Sequence, residues 1–432
     1  MEITFLGYIA ILLTVYVLFF KRSIYFIYFA IFFSGFSGSS VINISTFSLQ
    51  PSFYFSILYF IAQLFKPNRL AVRLDVSLII FFAYCAVSVI FPLIYSSKGI
   101  VIMNQEGDYV SLAFSQSNVI HIVYLLFDIL FLNSLMRYKN NEQFFDGCKV
   151  WFKRGLIAVI FICIYQYFAF TFDLEFDALF RQGVHGNVQG TRLYGPCDEA
   201  SMLCYYLVPA ILIVAQGARG IKDIIIIISA IAIGLLTKSS TFLIGLILLV
   251  LVALPNIAKW TIIKKHSIFI WALVVVLLIT ATCVLVATNI IGDVINQLLI
   301  KLNLGNKSGM ERWDAFSTMI MIGINYPTGV GFGSSRSKDL FSTWLGNIGI
   351  IGVILFMVFI FRILKSAGAH NKTRFVLPAI IVVILMFISV PEPYNLFVWF
   401  IFFYAIASVK ENSAKKITQT NQILTTLKIR EI

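Results

Sequence analysis

Apolar residues run in blocks along this chain, and polar residues gather in the connections between them. The blocks fall at 3–20, 24–42, 52–65, 75–95, 119–136, 155–172, 199–216, 223–237, 241–257, 267–288, 342–361, 375–390 and 394–409. Most approach the roughly 20 residues that a helix needs to cross a bilayer. Backbone polar groups in hydrocarbon must pair within their own segment, so such blocks predict helices. The pattern predicts an all-α polytopic integral membrane protein of about 12–13 transmembrane helices. A single transmembrane domain covers 1–409, followed by a polar, basic cytoplasmic tail over 410–432. The first block has no basic segment before it and no small-residue cleavage site, so it is expected to stay as the first span. The block at 24–42 carries Ser34, Gly35, Ser37, Gly38, Ser39 and Ser40 and is the least regular of the set.

Three connections are longer than turns. The first, 96–118, holds Glu106 and Asp108 and reads as a solvated loop. The second, 173–198, opens with Asp173-x-Glu175-x-Asp177 and contains Arg181, His185 and Arg192. The third, 289–341, begins with a helical stripe of Ile291, Val294, Ile295, Leu298, Leu299 and Leu302, the pattern of a helix lying in the membrane interface. Ser308-Gly309-Met310-Glu311 then has capping-box spacing and predicts a second helix over 309–323. A Gly-rich loop, Asn325 to Arg336, precedes the next block.

Composition agrees with a membrane protein. Hydrophobic residues make up 59% of the 432 and charged residues 12%, about half the charge of a soluble domain. The net charge of +13 could suggest a nucleic-acid partner. Its distribution argues otherwise. All Lys and Arg except Lys98, Arg181, Arg192, Lys238, Lys301, Lys307, Arg312, Arg336 and Lys338 fall in one alternate set of connections, which by the positive-inside rule faces the cytoplasm. The N-terminus and the three long connections are then outside, and no nucleic-acid partner is expected. Six cysteines without a Cys-x-x-Cys pair, and four histidines without ligand spacing, suggest neither a disulfide framework nor a metal site. No cofactor is expected.

Thr191 to Ser201 concentrates the chemistry. Arg192, Gly195, Asp198 and Glu199 stand where a polar loop enters an apolar span. A charge in hydrocarbon costs roughly 2.5–3.5 kcal/mol on insertion scales, so these groups call for water, a partner or a ligand. The outer arginines are Arg181, Arg192, Arg312 and Arg336, and a guanidinium matches phosphate oxygens in a bidentate fork. Pairing with Asp173, Asp177, Asp314 and Asp339 is the structural alternative. Glu199 is a candidate general base, or else it favours the start of its helix through the dipole. Asp198 reads as the helix cap. Asn118, His121 and Asp128 share one face of a span, and Asp128 lies within it. Gly329-x-Gly331-x-Gly333 reads as a tight turn, with a phosphate cradle as the alternative.

These residues resemble the bacterial O-antigen polymerase and ligase superfamily, the Wzy-type polysaccharide polymerases. Arg192-Leu-Tyr-Gly195 with Glu199-Ala-Ser201 resembles the family's segment entering a span. Leu235 to Thr241 resembles the short Ser/Thr-rich turn between the next two spans. Arg312-Trp313 through Pro327-x-Gly329-x-Gly331-x-Gly333, with Gly349-Ile-Ile-Gly352, resembles the large outer loop and the span after it. The resemblance covers residues 155–365. It implies a GT-C-like helical fold, and glycosyl transfer from undecaprenyl-pyrophosphate-linked glycans at the periplasmic face of the bacterial inner membrane. Neither nucleotide sugar nor metal is then required. Arg192 and Arg312 would stabilise the pyrophosphate leaving group and Glu199 would act as base. Arg181, Arg336, Tyr194 and Lys338 would bind substrate. Membrane lipid, a flippase and a chain-length regulator are the implied partners. The ligases carry a histidine before the Gly-x-x-Gly of the late span. Counting back from Gly349 gives Lys338, and no histidine occurs between His266 and His370, which favours polymerase over ligase. A flippase or transporter of lipid-linked glycans is the reading from another class.

Overall fold

The computed structural model describes residues 2–44, 47–65, 73–104, 108–180, 192–218, 220–261, 307–368 and 373–407. The architecture is all-α, with two small β-sheets at one end of the bundle. Among the described residues, five apolar helical stretches are long enough to cross a membrane: Val76–Lys98, Gln116–Met136, Glu142–Phe172, Ala200–Gly217 and Leu340–Lys365. Shorter apolar helices accompany them. The expected span at 267–288, the interfacial stripe at 291–302 and the tail at 410–432 lie outside the described residues.

Strand β1 (Glu2–Ile3) leads into α1 (Phe5–Phe20), and Thr4 caps that helix by accepting from the Gly7 amide at 2.9 Å. Helix α2 (Ile24–Phe32) ends in a 3-10 turn, Phe33–Gly35. The block expected to continue to residue 42 therefore stops early. Its serines and glycines are poor helix formers, and they fold back as a buried loop beneath a second loop. There the Gly38 amide donates to the Pro196 carbonyl at 3.0 Å and the Ser39 hydroxyl to that of Phe180 at 2.6 Å. A Cβ at Gly38 would run into the backbone of Cys197 and Asp198, so only glycine permits this approach. Strands β2 (Ile42–Ile44) and β3 (Phe47–Leu49) pair antiparallel, and β1 pairs with β2.

Helices α3 (Pro51–Leu64), α4 (Val76–Ser88) and α5 (Phe91–Tyr95) follow. The connection read as a solvated loop forms a hairpin, β4 (Val101–Met103) with β5 (Tyr109–Ser111). Its Ile100, Ile102 and Leu112 pack against Met319, Ile322 and Val330. Helix α6 (Gln116–Met136) opens with a capping box from Ser115 and Asn118. Helix α7 (Glu142–Phe172) starts well before the apolar block at 155. Its basic first half belongs to the helix, and Lys153 pairs there with Asp223, on the helix Ile221–Leu236.

A one-turn α8 (Asp177–Phe180) precedes α9 (Ala200–Gly217), α10 (Ile221–Leu236) and α11 (Ser240–Thr261). Helix α12 (Lys307–Asn325) forms where the capping-box spacing placed a helix. Helices α13 (Leu340–Gly368), α14 (Thr373–Ser389) and α15 (Leu396–Ala407) close the bundle.

Helices α9 and α15 sit at the centre. Nearly every residue of α15 is buried, from Leu396 to Tyr404, as is most of α9. An all-round apolar helix has no polar face to offer water, so it takes the interior. Leu12, Phe19 and Phe20 of α1, Phe161 and Phe172 of α7, and Phe361 of α13 point outward, as a lipid-facing shell requires.

Candidate functional site

One end of the bundle gathers the Ser-rich loop after α2, the β4–β5 hairpin, the loop entering α9, the α10–α11 turn, the loop between α12 and α13, and the α14–α15 connection. The α12–α13 loop is wired to its surroundings by backbone. Helix α13 breaks at Gly349 (φ 63°, ψ −175°), which frees carbonyls one turn earlier. The Val330 amide donates to the Gly346 carbonyl at 2.9 Å and the Gly331 amide to that of Asn347 at 2.8 Å. The Asn347 side chain accepts from the Ser335 amide at 3.0 Å and donates to its carbonyl at 2.8 Å. Asn118 of α6 donates to the Phe332 carbonyl at 2.7 Å and to the Ser334 hydroxyl at 2.9 Å. The Gly331 amide is thus engaged by α13 and the Gly329 amide by the Tyr326 carbonyl at 2.7 Å, and this is the tight-turn form of the Gly-rich loop.

Arg336 is what this loop presents. Its amide donates to Met103 of β4 at 3.1 Å, and its half-buried guanidinium pairs with Glu392 between α14 and α15. Glu392 raises the guanidinium above its ordinary range against the opposing effect of burial, and Glu199 and Asp198 add in the same direction. One cation therefore faces three carboxylates drawn from two connections. Asp339, considered as the partner of Arg336, instead caps α13. It accepts from the Ser342 amide at 2.8 Å and the Ser342 hydroxyl at 2.6 Å. Beside the pair, His121 of α6 stacks on Tyr394, with ring centroids 5.0 Å apart and planes at 17°.

Glu199 stands at the edge of this group. It occupies the N-cap position of α9, where Asp198 was expected, and makes no cap bond with its side chain. Among the described residues its exposed carboxylate accepts a single hydrogen bond, from the Ser201 hydroxyl at 3.1 Å, and so faces solvent beside Arg336.

Arg192 is held at the same end. Its Nε donates to the Thr237 carbonyl at 3.1 Å and an Nη to that of Lys238 at 3.5 Å, capping the C-terminus of α10. Lys238 takes a left-handed conformation there (φ 51°). Tyr194 turns inward. It is buried, its hydroxyl donates to Asp177 at 2.6 Å, and its amide and that of Gly195 donate to Gln166 at 3.0 and 2.8 Å. Tyr194 thus fixes the loop and leaves no hydroxyl facing the site.

Lys338 is exposed, as is Arg312 near the start of α12, and neither forms an ion pair with a described residue. Arg181 lies outside the described residues. Cys197, in the loop above α9, is buried, and burial pushes its thiol up to about 12.

Glu392, Tyr394 and the placement of His121 beside Arg336 escaped the sequence reading. The signal was present: Pro391-Glu392-Pro393 puts a carboxylate and two helix-breaking residues between two apolar blocks. What the fold and site define is an all-α membrane protein with a charged cluster at one end of its bundle. Chemically, the cluster can hold an anionic group on arginine and accept a proton on carboxylate. No family model matches the chain, and neither a curated protein nor a solved structure is found to be similar to it.

Proposed function

We propose that this protein is a glycosyltransferase that polymerises undecaprenyl-pyrophosphate-linked oligosaccharide repeat units into O-antigen or a related surface polysaccharide. In this reading the GT-C-like bundle lies in the bacterial inner membrane with the charged end toward the periplasm. A flippase supplies the repeat units and a chain-length regulator acts beside the polymerase. The observation that carries the reading is the exposed Glu199 carboxylate standing beside Arg336 at the mouth of α9.

An acceptor hydroxyl gives its proton to Glu199 as its oxygen bonds to the anomeric carbon, and the bond to the lipid pyrophosphate breaks. Charge then builds on the pyrophosphate, where fixed guanidinium groups stabilise it most. Arg336 feels the charge of the base, and Arg192 holds the adjoining turn.

Membranes containing each variant, supplied with lipid-linked repeat units, test this. Glu199→Gln cannot take the proton and should lower polymer formation on the order of 10²–10⁴-fold. Asp198→Asn changes the same local charge and should leave polymer formation near normal. Equal mild effects at 198 and 199 would remove Glu199 as the base.

A further inference from the structure

The hydrophobic pattern assigns 289–341 to a connection outside the membrane, yet part of it descends among the spanning helices. Two spans give the depth. Arg362 of α13 pairs with Asp75, the cap of α4, at 3.0 Å, and both stand at the basic end of the bundle that faces the cytoplasm. Val76–Lys98 and Leu340–Lys365 each exceed a hydrocarbon core about 30 Å thick. At about 1.5 Å per residue, Ile348 stands about 21 Å from Arg362 and about 12 Å inside Leu340. The Tyr84 hydroxyl of α4 donates to the Ile348 carbonyl at 3.2 Å and to the Thr328 carbonyl at 2.9 Å. The turn after α12 therefore shares that level, in the outer half of the bilayer. A Cβ at Gly331 would meet the ring of Pro92, and Ile90, Leu93 and Ile94 beside that proline are exposed as lipid-facing side chains.

Irregular backbone at such depth persists only where protein groups pair it. The bonds from α13 and Tyr84 do this here, and Gly329 (φ 78°) lies directly against the Asn347 backbone. Charge follows the same gradient. Lys307, Glu311, Arg312 and Asp314 all fall in the first half of α12, whereas Ala315 to Ser335 contains no Asp, Glu, Lys, Arg or His. At the outer end of the α4–α5 stretch, the Lys98 ammonium lies 4.8 Å from the Tyr95 ring centroid and 5.4 Å from that of Tyr326.

Helix α12 has two apolar faces. Ala315, Met319 and Ile322 are buried, and a Cβ at Gly323 would run into Leu345 of α13. Met310, Trp313, Met321 and Ile324 line the other side at helical spacing, and all four are exposed. A stripe that runs into a turn at hydrocarbon depth has its deep end among acyl chains, with Trp313 and the charged residues toward the headgroups.

We propose that α12 is seated in the outer leaflet, with its exposed stripe against phospholipid acyl chains and the turn Pro327–Gly331 re-entrant in the membrane. This seat anchors, from the membrane side, the loop that presents Arg336. It does not rest on the glycosyltransferase reading.

Spin-label spectroscopy on the full chain in phosphatidylcholine vesicles free of polyprenyl lipid tests the seat. A nitroxide is attached at Ile324→Cys and, separately, at Met321→Cys, and the signal of the unsubstituted chain is subtracted. Leu93→Cys supplies the lipid reference and Asp108→Cys, on the β4–β5 hairpin, the water reference. Both stripe positions should match position 93, with more oxygen collisions and fewer nickel-chelate collisions than position 108. Values matching position 108 would overturn the seat by placing the stripe in water. Loss of both kinds of collision would overturn it in favour of a protein partner or a second copy of the chain. Oxygen collisions that fall only at the stripe when polyprenyl phosphate is added would overturn phospholipid as the occupant and assign the surface to a polyprenyl tail. The readout needs no catalytic activity, so failure of the proposed function leaves it unchanged.

Discussion

Gly349→Ala tests how the loop bearing Arg336 is fixed. Gly349 breaks α13 with φ 63° and ψ −175°, a region essentially closed to other residues, where alanine costs about 1–3 kcal/mol. The new Cβ would also fall on the Pro327 carbonyl and the Gly329 amide nitrogen. Both are backbone, so no rotamer change relieves the overlap. The loop must lift, and the bonds from Val330 to Gly346 and from Gly331 to Asn347 are lost with it. Each contributes about 0.5–1.5 kcal/mol, giving a destabilisation of about 2–6 kcal/mol in all. Gly217→Ala, where a Cβ meets nothing within 4 Å, is the control and should be neutral or slightly stabilising. Unfolding of the two variants in detergent micelles measures the difference. A Gly349→Ala protein as stable as Gly217→Ala would refute the interlock.

Two further outcomes follow from the same geometry. A double-mutant cycle of Arg336→Ala with Glu392→Ala, read by the same unfolding measurement, should give a coupling of about 1–2 kcal/mol for a half-buried pair. Arg336→Ala should be the more damaging single change, because it leaves Glu392, Glu199 and Asp198 without their shared cation; additive singles would refute the pair. Arg192→Ala should speed amide hydrogen exchange across the turn at 237–239 and cost about 1–3 kcal/mol, while Arg192→Lys restores part. Unchanged exchange would show that the guanidinium does not hold the turn.

Much of the helical framework was legible in the order of residues. A long apolar block with polar ends is a helix almost wherever it sits, because the backbone must satisfy itself in hydrocarbon. The turn between α10 and α11, and the helix opening near residue 308, were readable for a similar local reason: a short polar break and a cap signal act within a few residues. Boundaries failed where composition and packing disagree. Residues 34–40 are apolar enough to extend a span, yet Gly38 allows the α9 loop to close over them, and a loop with that cover needs no helix. Residues 142–154 look like a polar connection, yet Lys153 finds Asp223 on α10 and stays helical.

At the site, the sequence by itself singled out charged groups near a membrane surface: Arg192, Glu199 and Arg312 at junctions between polar and apolar segments, and Arg336 in the Gly-rich loop. Only the tertiary structure decided their partners. Arg336 meets Glu392 because α13, α14 and α15 return to the same end of the bundle. Arg192 reaches the end of α10 and Tyr194 turns to Asp177 through the path of one loop. Local pattern reports the cost of placing a residue in water or hydrocarbon, which each segment carries alone. An ion pair depends on the distance between two segments, and that distance is set by how the buried faces of α9 and α15 pack against their neighbours.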